Sequence, residues 1–166
     1  MTVNVQDLVT LADALSNGQG EIEWRSGASR GYYAMFHKAR DVCDACLGPS
    51  PYAEGAHEKL TNRLIEHTKQ TKNRQAMSLA YRLIDFKKVR TKADYKLGAA
   101  FRQQDATDLV AQIGSVHEQV DDFASNGPVR FLVCRGHETI TEITSYDRCN
   151  RDQEEQEPEG AEAVPR

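Results

Sequence analysis

The chain has 166 residues, 39% hydrophobic and 28% charged, with a formal net charge of −4. These proportions are typical of one soluble globular domain. No apolar run approaches the ~20 residues of a membrane span, the N-terminus lacks the pattern of a secretory signal, and the four cysteines are too few for a disulfide scaffold. We therefore expect a reduced, cytoplasmic protein that does not insert into a membrane.

Hydrophobic periodicity predicts two helices in the first third of the chain, over residues 5–16 and 21–47. The glycines at positions 18 and 20 separate them. The second helix carries two neighbouring apolar stripes, Ala28-Tyr32-Met35-Ala39-Val42-Cys46 and Tyr33-Phe36-Cys43-Leu47. A helix with two apolar stripes contacts partners on more than one side, so we expect it to be the central helix.

Three more helices are predicted, over 56–68, 75–93 and from Asp105 to Phe123. The polar stretches 67–74 and 94–103 are predicted to be loops. Asp105 is the expected N-cap of the last helix, because its carboxylate can accept hydrogen bonds from free backbone N–H groups. The pattern predicts an all-α domain of about five helices over residues 1–126.

The last forty residues differ in composition from the helical part. Residues 127–146 contain two short strand-like runs around Arg135-Gly136-His137, which suggests a short hairpin extension. Residues 147–166 are polar and rich in Glu, so we expect an acidic disordered tail.

The middle of the chain is strongly basic. Residues 59–102 carry twelve Lys or Arg and three acidic residues, a net charge of +9. Such a run is either a footprint for a polyanion or a solvated helix face balanced by acidic neighbours. On the first interpretation, the residues expected to bind RNA are Lys87, Lys88, Arg90, Lys92 and Lys96.

Three polar side chains on the second predicted helix could carry chemistry. At about 100° per residue, Arg30 and His37 return to within roughly 20° of each other on the helix surface, with Tyr33 between them. An Arg can bind phosphate, a His can move protons near neutral pH, and a Tyr can stack on a base. The alternative is that the tyrosines belong to the core and that Arg30 and His37 lie at the helix edge.

A second motif lies at the end of the fourth predicted helix. Arg90 continues the apolar stripe of Leu79, Leu83 and Phe86, so it needs a partner that compensates its charge. That partner is Asp94 one turn further on, a carboxylate from another helix, or a bound phosphate. Arg90, Asp94 and Tyr95 are therefore either structural or part of a cleft.

The two motifs together resemble the HEPN superfamily, in particular its small stand-alone bacterial branch found in toxin–antitoxin and phage-defence gene sets. The similarity rests on Ser29-Arg30-x-Tyr32-Tyr33-Ala34-x-Phe36-His37 and Arg90-x-x-Ala93-Asp94-Tyr95, and it spans residues 5–125. It implies an up-and-down helical bundle that forms a homodimer. In active members it implies a metal-independent endoribonuclease that needs no cofactor and uses the ribose 2′-OH as nucleophile.

The chain departs from this family at its catalytic motif, Arg-x4–6-His, which usually lies in a later helix. There, Arg90 is followed after four residues by Tyr95 instead of His. The stretch with the required spacing is Arg30-x6-His37. Either Arg30, Tyr33 and His37 have taken the catalytic role, or the protein is a non-catalytic member.

Three functions follow as hypotheses. The first is an RNA-cleaving toxin or defence effector. The second is a non-catalytic binding subunit, the partner of a nucleotidyltransferase or of an antitoxin. The third is a dimeric interaction protein whose acidic tail docks on a basic partner. Cys43-x-x-Cys46 offers too few ligands for a closed zinc site and is interpreted as a pair of buried thiols, so no metal site is expected.

Overall fold

The computed structural model describes residues 3–47 and 55–126, which form six helices and no strand. The helices are α1 (Val5–Ser16), α2 (Glu21–Cys46), α3 (Ala56–Thr71), α4 (Arg74–Tyr95), α5 (Gln103–Ala111) and α6 (Ile113–Asn126). The prediction of an all-α bundle is confirmed. None of these six helices is long and apolar enough to cross a membrane. The hairpin suggested at 127–146 and the tail at 147–166 lie outside the described residues.

Both predicted loops, 67–74 and 94–103, are partly helical, the first much more than the second. Helix α3 continues through the polar residues up to Thr71, whose hydroxyl donates to the carbonyl of His67. It ends where Lys72 adopts a left-handed conformation, with φ of 61°. Helix α4 then begins at once, because the side chain of Asn73 caps its first turn by accepting from two backbone N–H groups.

The predicted last helix is two helices, and Asp105 is not its N-cap. Asp105 is the third residue of α5, and its carboxylate accepts from the backbone N–H of Arg102 at 3.2 Å. The N–H of Gln112 bonds to the carbonyl of Leu109, three residues back, at 3.1 Å. This tighter turn separates α5 from α6, while the apolar stripe continues across the break.

Helix α2 is the central helix, as predicted. It packs against each of the other five helices, and Ala28, Met35 and Ala39 on its first stripe are fully buried. Two glycines on α2 lie at close contacts. A Cβ at Gly27 would lie 2.8 Å from the backbone nitrogen of Ser16, and one at Gly31 would lie 2.7 Å from a terminal methyl of Leu109.

We expect Gly27→Ala to destabilise the protein by about 1–3 kcal/mol, the usual cost of overpacking. Its new methyl group would meet the backbone of α1, which can yield only by moving the helix. Gly31→Ala is the matched control, because the methyl of Leu109 can rotate away. Both variants gain the same helix propensity, about 1 kcal/mol. Urea unfolding of the two variants measures the difference, and equal stabilities would contradict the close contact at Gly27.

Candidate functional site

The ring of Tyr33 lies at the centre of the predicted face of α2. The guanidinium carbon of Arg30 is 5.8 Å from the centre of this ring, and the His37 ring is 6.1 Å from it, centre to centre. Arg30 is exposed, whereas Tyr33 and His37 are half-buried. The helical spacing therefore brings the three predicted residues together on a partly accessible surface.

The second motif meets the first at Tyr33. Nη2 of Arg90 donates a hydrogen bond of 2.8 Å to the Tyr33 hydroxyl, and Nε of Arg90 is 2.7 Å from a carboxylate oxygen of Asp94. The Asp94 carboxylate also accepts from the hydroxyl of Ser29 on α2. Arg90 thus has the ion pair with Asp94 that the sequence suggested and also contacts the first motif.

A second imidazole completes the site. The ring of His57, on α3, is 5.9 Å from that of Tyr33 and 4.5 Å from that of Phe36, centre to centre. Its Nδ1 lies 2.8 Å from the hydroxyl of Tyr32. His57 was not predicted from the sequence, because no pattern connects it to the two motifs and only the packing of α3 against α2 brings it close.

We call the five central residues the Tyr33 cluster; they are Arg30, Tyr33, His37, His57 and Arg90. Two guanidinium groups and two imidazoles surround one phenol in this cluster. These side chains can bind an anion and can also transfer protons.

Burial and neighbouring cations favour the neutral form of both imidazoles in the free protein. The pKa of His37 is lowered, first by burial and then by the Arg40 guanidinium, although Asp41 opposes this. The pKa of His57 is lowered by burial, by Lys87 and Arg90 and by His37, although Glu58 opposes this. A neutral imidazole at pH 7 can accept a proton, which is the first requirement for a general base.

The predicted RNA-binding lysines are mostly paired with carboxylates. Lys87 pairs with Glu58 across to α3. Lys88 is 2.7 Å from Asp85, and Lys92 is 2.8 Å from Asp105. Lys96 is exposed. The Lys88–Asp85 pair is exposed at both ends, and exposed ion pairs are worth only about 0–1 kcal/mol, so Lys88 can exchange its carboxylate for a phosphate at small cost.

Cys43 and Cys46 are both buried free thiols, as the sequence suggested. Burial raises the pKa of the Cys43 thiol to about 12, so the thiol stays protonated. Across residues 3–47 and 55–126, no three His, Cys, Asp or Glu side chains are grouped so that they could hold a metal ion.

No family model, no curated protein and no solved structure matches this chain.

Protonation of the buried His67 and of the three half-buried histidines His37, His57 and His117 is expected to make the fold less stable in mild acid. Burial lowers the pKa of His67 and His117 as well as that of His37 and His57. A histidine whose pKa is lowered in the folded state binds protons more readily when the chain is unfolded. Its contribution to the stability of the fold is therefore complete above about pH 6.5, the ordinary pKa of His, and decreases as the pH falls below that value. We expect the melting temperature to decrease between pH 7.5 and 5.5.

The control for this effect is His67→Gln, which keeps a polar side chain but cannot titrate. Calorimetry of this variant is expected to show a shallower decrease over the same pH range. A melting temperature that rises as the pH falls from 7.5 to 5.5 would contradict the assignment of neutral buried imidazoles.

Proposed function

We propose that this chain is a HEPN-like RNA-binding protein and a metal-independent endoribonuclease that acts as a toxin or defence effector. The observation that carries the proposal is the Tyr33 cluster, in which two sequence motifs and His57 converge on one phenol. Guanidinium groups next to neutral imidazoles suit a phosphodiester, because the former bind the phosphate and the latter transfer protons.

In the proposed reaction, His37 accepts the proton of a ribose 2′-OH. The 2′ oxygen then forms a bond to the adjacent phosphorus, and the bond from phosphorus to the 5′ oxygen breaks. A bound phosphate favours the charged form of a nearby imidazole, so with RNA in place His57 takes up a proton from solvent and supplies it to the departing 5′ oxygen. The products are a 2′,3′-cyclic phosphate and a 5′-hydroxyl. Arg30 and Arg90 bind the non-bridging oxygens and stabilise the charge that develops on them.

The test is incubation of the purified full chain with end-labelled RNA in excess EDTA. Cleavage with cyclic phosphate ends is expected, and DNA of the same sequence should stay intact because it lacks the 2′-OH. If no member of a diverse RNA pool is cleaved, the endonuclease proposal is wrong.

We also propose that the protein forms a homodimer, because active members of the family that it resembles build their cleft from two copies. Light scattering at micromolar concentration should then give twice the mass of the chain. A monomer at that concentration would count against a shared cleft.

A non-catalytic binding subunit, in a toxin–antitoxin pair or with a nucleotidyltransferase, is the second candidate. The observation that favours it is the engagement of Arg90 with Asp94 and the Tyr33 hydroxyl, which cross-links α4 to α2. Arg90→Gln separates the two functions. A purely structural Arg90 predicts a lower melting temperature with unchanged RNA affinity of the folded protein, whereas a phosphate ligand predicts weaker RNA binding as well.

A further inference from the structure

Cations and aromatic rings alternate in a chain of contacts that runs from Arg30 through the Tyr33 cluster to Tyr95. Arg30 lies on the Tyr33 ring at 5.8 Å, and Arg90 lies on the same ring at 5.3 Å. The Arg90 guanidinium carbon is in turn 4.9 Å from the centre of the Tyr95 ring. Tyr95 is the outermost member and has 67% of its surface exposed.

We propose that Tyr95 is a stacking platform for one unpaired nucleobase, so that the substrate of the Tyr33 cluster is single-stranded RNA. This inference rests on the proposed function and specifies its substrate class. One face of the Tyr95 ring lies on Arg90, and the exposed remainder is open to a planar ligand. Aromatic side chains bind single-stranded nucleic acid in this way, because every base has a π-face.

The neighbouring charges favour a nucleotide over an apolar partner. Arg90 precedes Tyr95 in the chain and the exposed Lys96 follows it, and the exposed Arg30 lies against the Tyr33 ring. The carboxylate of Asp94 offsets part of the charge of Arg90, which leaves Arg30 and Lys96 as the exposed cations of this surface. A base on Tyr95 would place its own or a neighbouring phosphate near these cations.

Strand preference follows from the same geometry. In a duplex, the face of each base is covered by its neighbours, so the Tyr95 ring cannot reach it. An unpaired base in a loop or a single strand can stack on the ring. The platform therefore selects unpaired RNA without requiring a particular sequence.

The test is fluorescence anisotropy of the full chain with a fully 2′-O-methylated RNA, which cannot be cleaved because its 2′-OH is blocked. The wild type is expected to bind the single strand more tightly than the same strand in a duplex. Tyr95→Ala is expected to weaken single-strand binding by about 5- to 150-fold, since base stacking is worth about 1–3 kcal/mol. Tyr95→Phe keeps the ring and should bind within about twofold of the wild type.

Tyr81→Ala is the matched control, because Tyr81 lies on the same helix and is 57% exposed. It should bind like the wild type. A strand of the same length in which every nucleotide is abasic should bind Tyr95→Ala and the wild type equally, because the stacking partner is then missing in both.

Equal binding of wild type and Tyr95→Ala to the intact single strand overturns the platform, and so does equal affinity for duplex and single strand, or no RNA binding at all. If unmodified RNA is nevertheless cleaved in EDTA, the endonuclease proposal stands without the platform. Binding that depends on Tyr95, without cleavage of unmodified RNA, supports the platform and overturns the endonuclease alone.

Discussion

RNA cleavage by the His37→Ala variant is expected to be about 10²–10⁴-fold slower than cleavage by the wild type, the usual contribution of a positioned proton carrier. The ring of His37 is half-buried beside Tyr33, so its removal should leave the helical core intact. Single-turnover rates in EDTA measure the loss, and circular dichroism checks the fold.

Arg30→Ala tests the phosphate-binding part of the same account. Loss of one group that stabilises developing charge typically costs about 10²–10³-fold in rate. Arg30 is exposed, so the variant should melt like the wild type. Tyr33→Phe should lose less, because it keeps the ring and removes only the hydroxyl that accepts from Arg90. Full cleavage by His37→Ala would contradict the assigned roles.

The largest loss of stability is expected for Arg25→Met. Arg25 is buried, with 5% of its surface exposed, and it donates to the carbonyls of Lys92, Ala93, Lys96 and Ala99. These carbonyls lie at the end of α4 and just beyond it, where a helix runs out of its own donors; those of Lys92 and Lys96 also accept from backbone N–H groups. Hydrogen bonds to a charged group are worth about 1.5–3 kcal/mol, so we expect a loss of about 3 kcal/mol.

The control for Arg25 is Lys88→Met, which removes a cation whose only described ion pair, with Asp85, is exposed at both ends. We expect a change within about 0.5 kcal/mol for this variant. Urea unfolding measures both. Similar losses for the two variants would mean that the carbonyl contacts of Arg25 contribute little to stability.

The sequence predicted the helices well where an apolar stripe and a breaker coincided. Helices α1 and α2 begin and end close to the predicted residues, because Gly18 and Gly20 separate two clear periodic patterns. The break at Gln112 was not predicted, since Leu109 and Ile113 on either side of it keep the helical spacing and are both buried. Periodicity alone does not reveal a tight turn that preserves the stripe.

The candidate site was predictable only within single helices, α2 and α4. Spacing placed Arg30, Tyr33 and His37 on one face of α2, and the geometry agrees with that placement. His57 and Arg25 were missed because their partners come from other helices. His57 contacts Tyr32 across a helix interface, and Arg25 reaches carbonyls more than sixty residues away in the chain.

The most direct test of the central claim, that RNA binds at the Tyr33 cluster, is NMR of the histidine rings. The chain has five histidines, so ring-labelled protein gives a small set of signals that single substitutions can assign. Addition of single-stranded 2′-O-methyl RNA is predicted to shift the His37 and His57 signals and to raise both pKa values, because a nearby phosphate favours the charged imidazole. The signals of His67 and His117 should not move. Saturable RNA binding that leaves His37 and His57 unchanged would contradict the account.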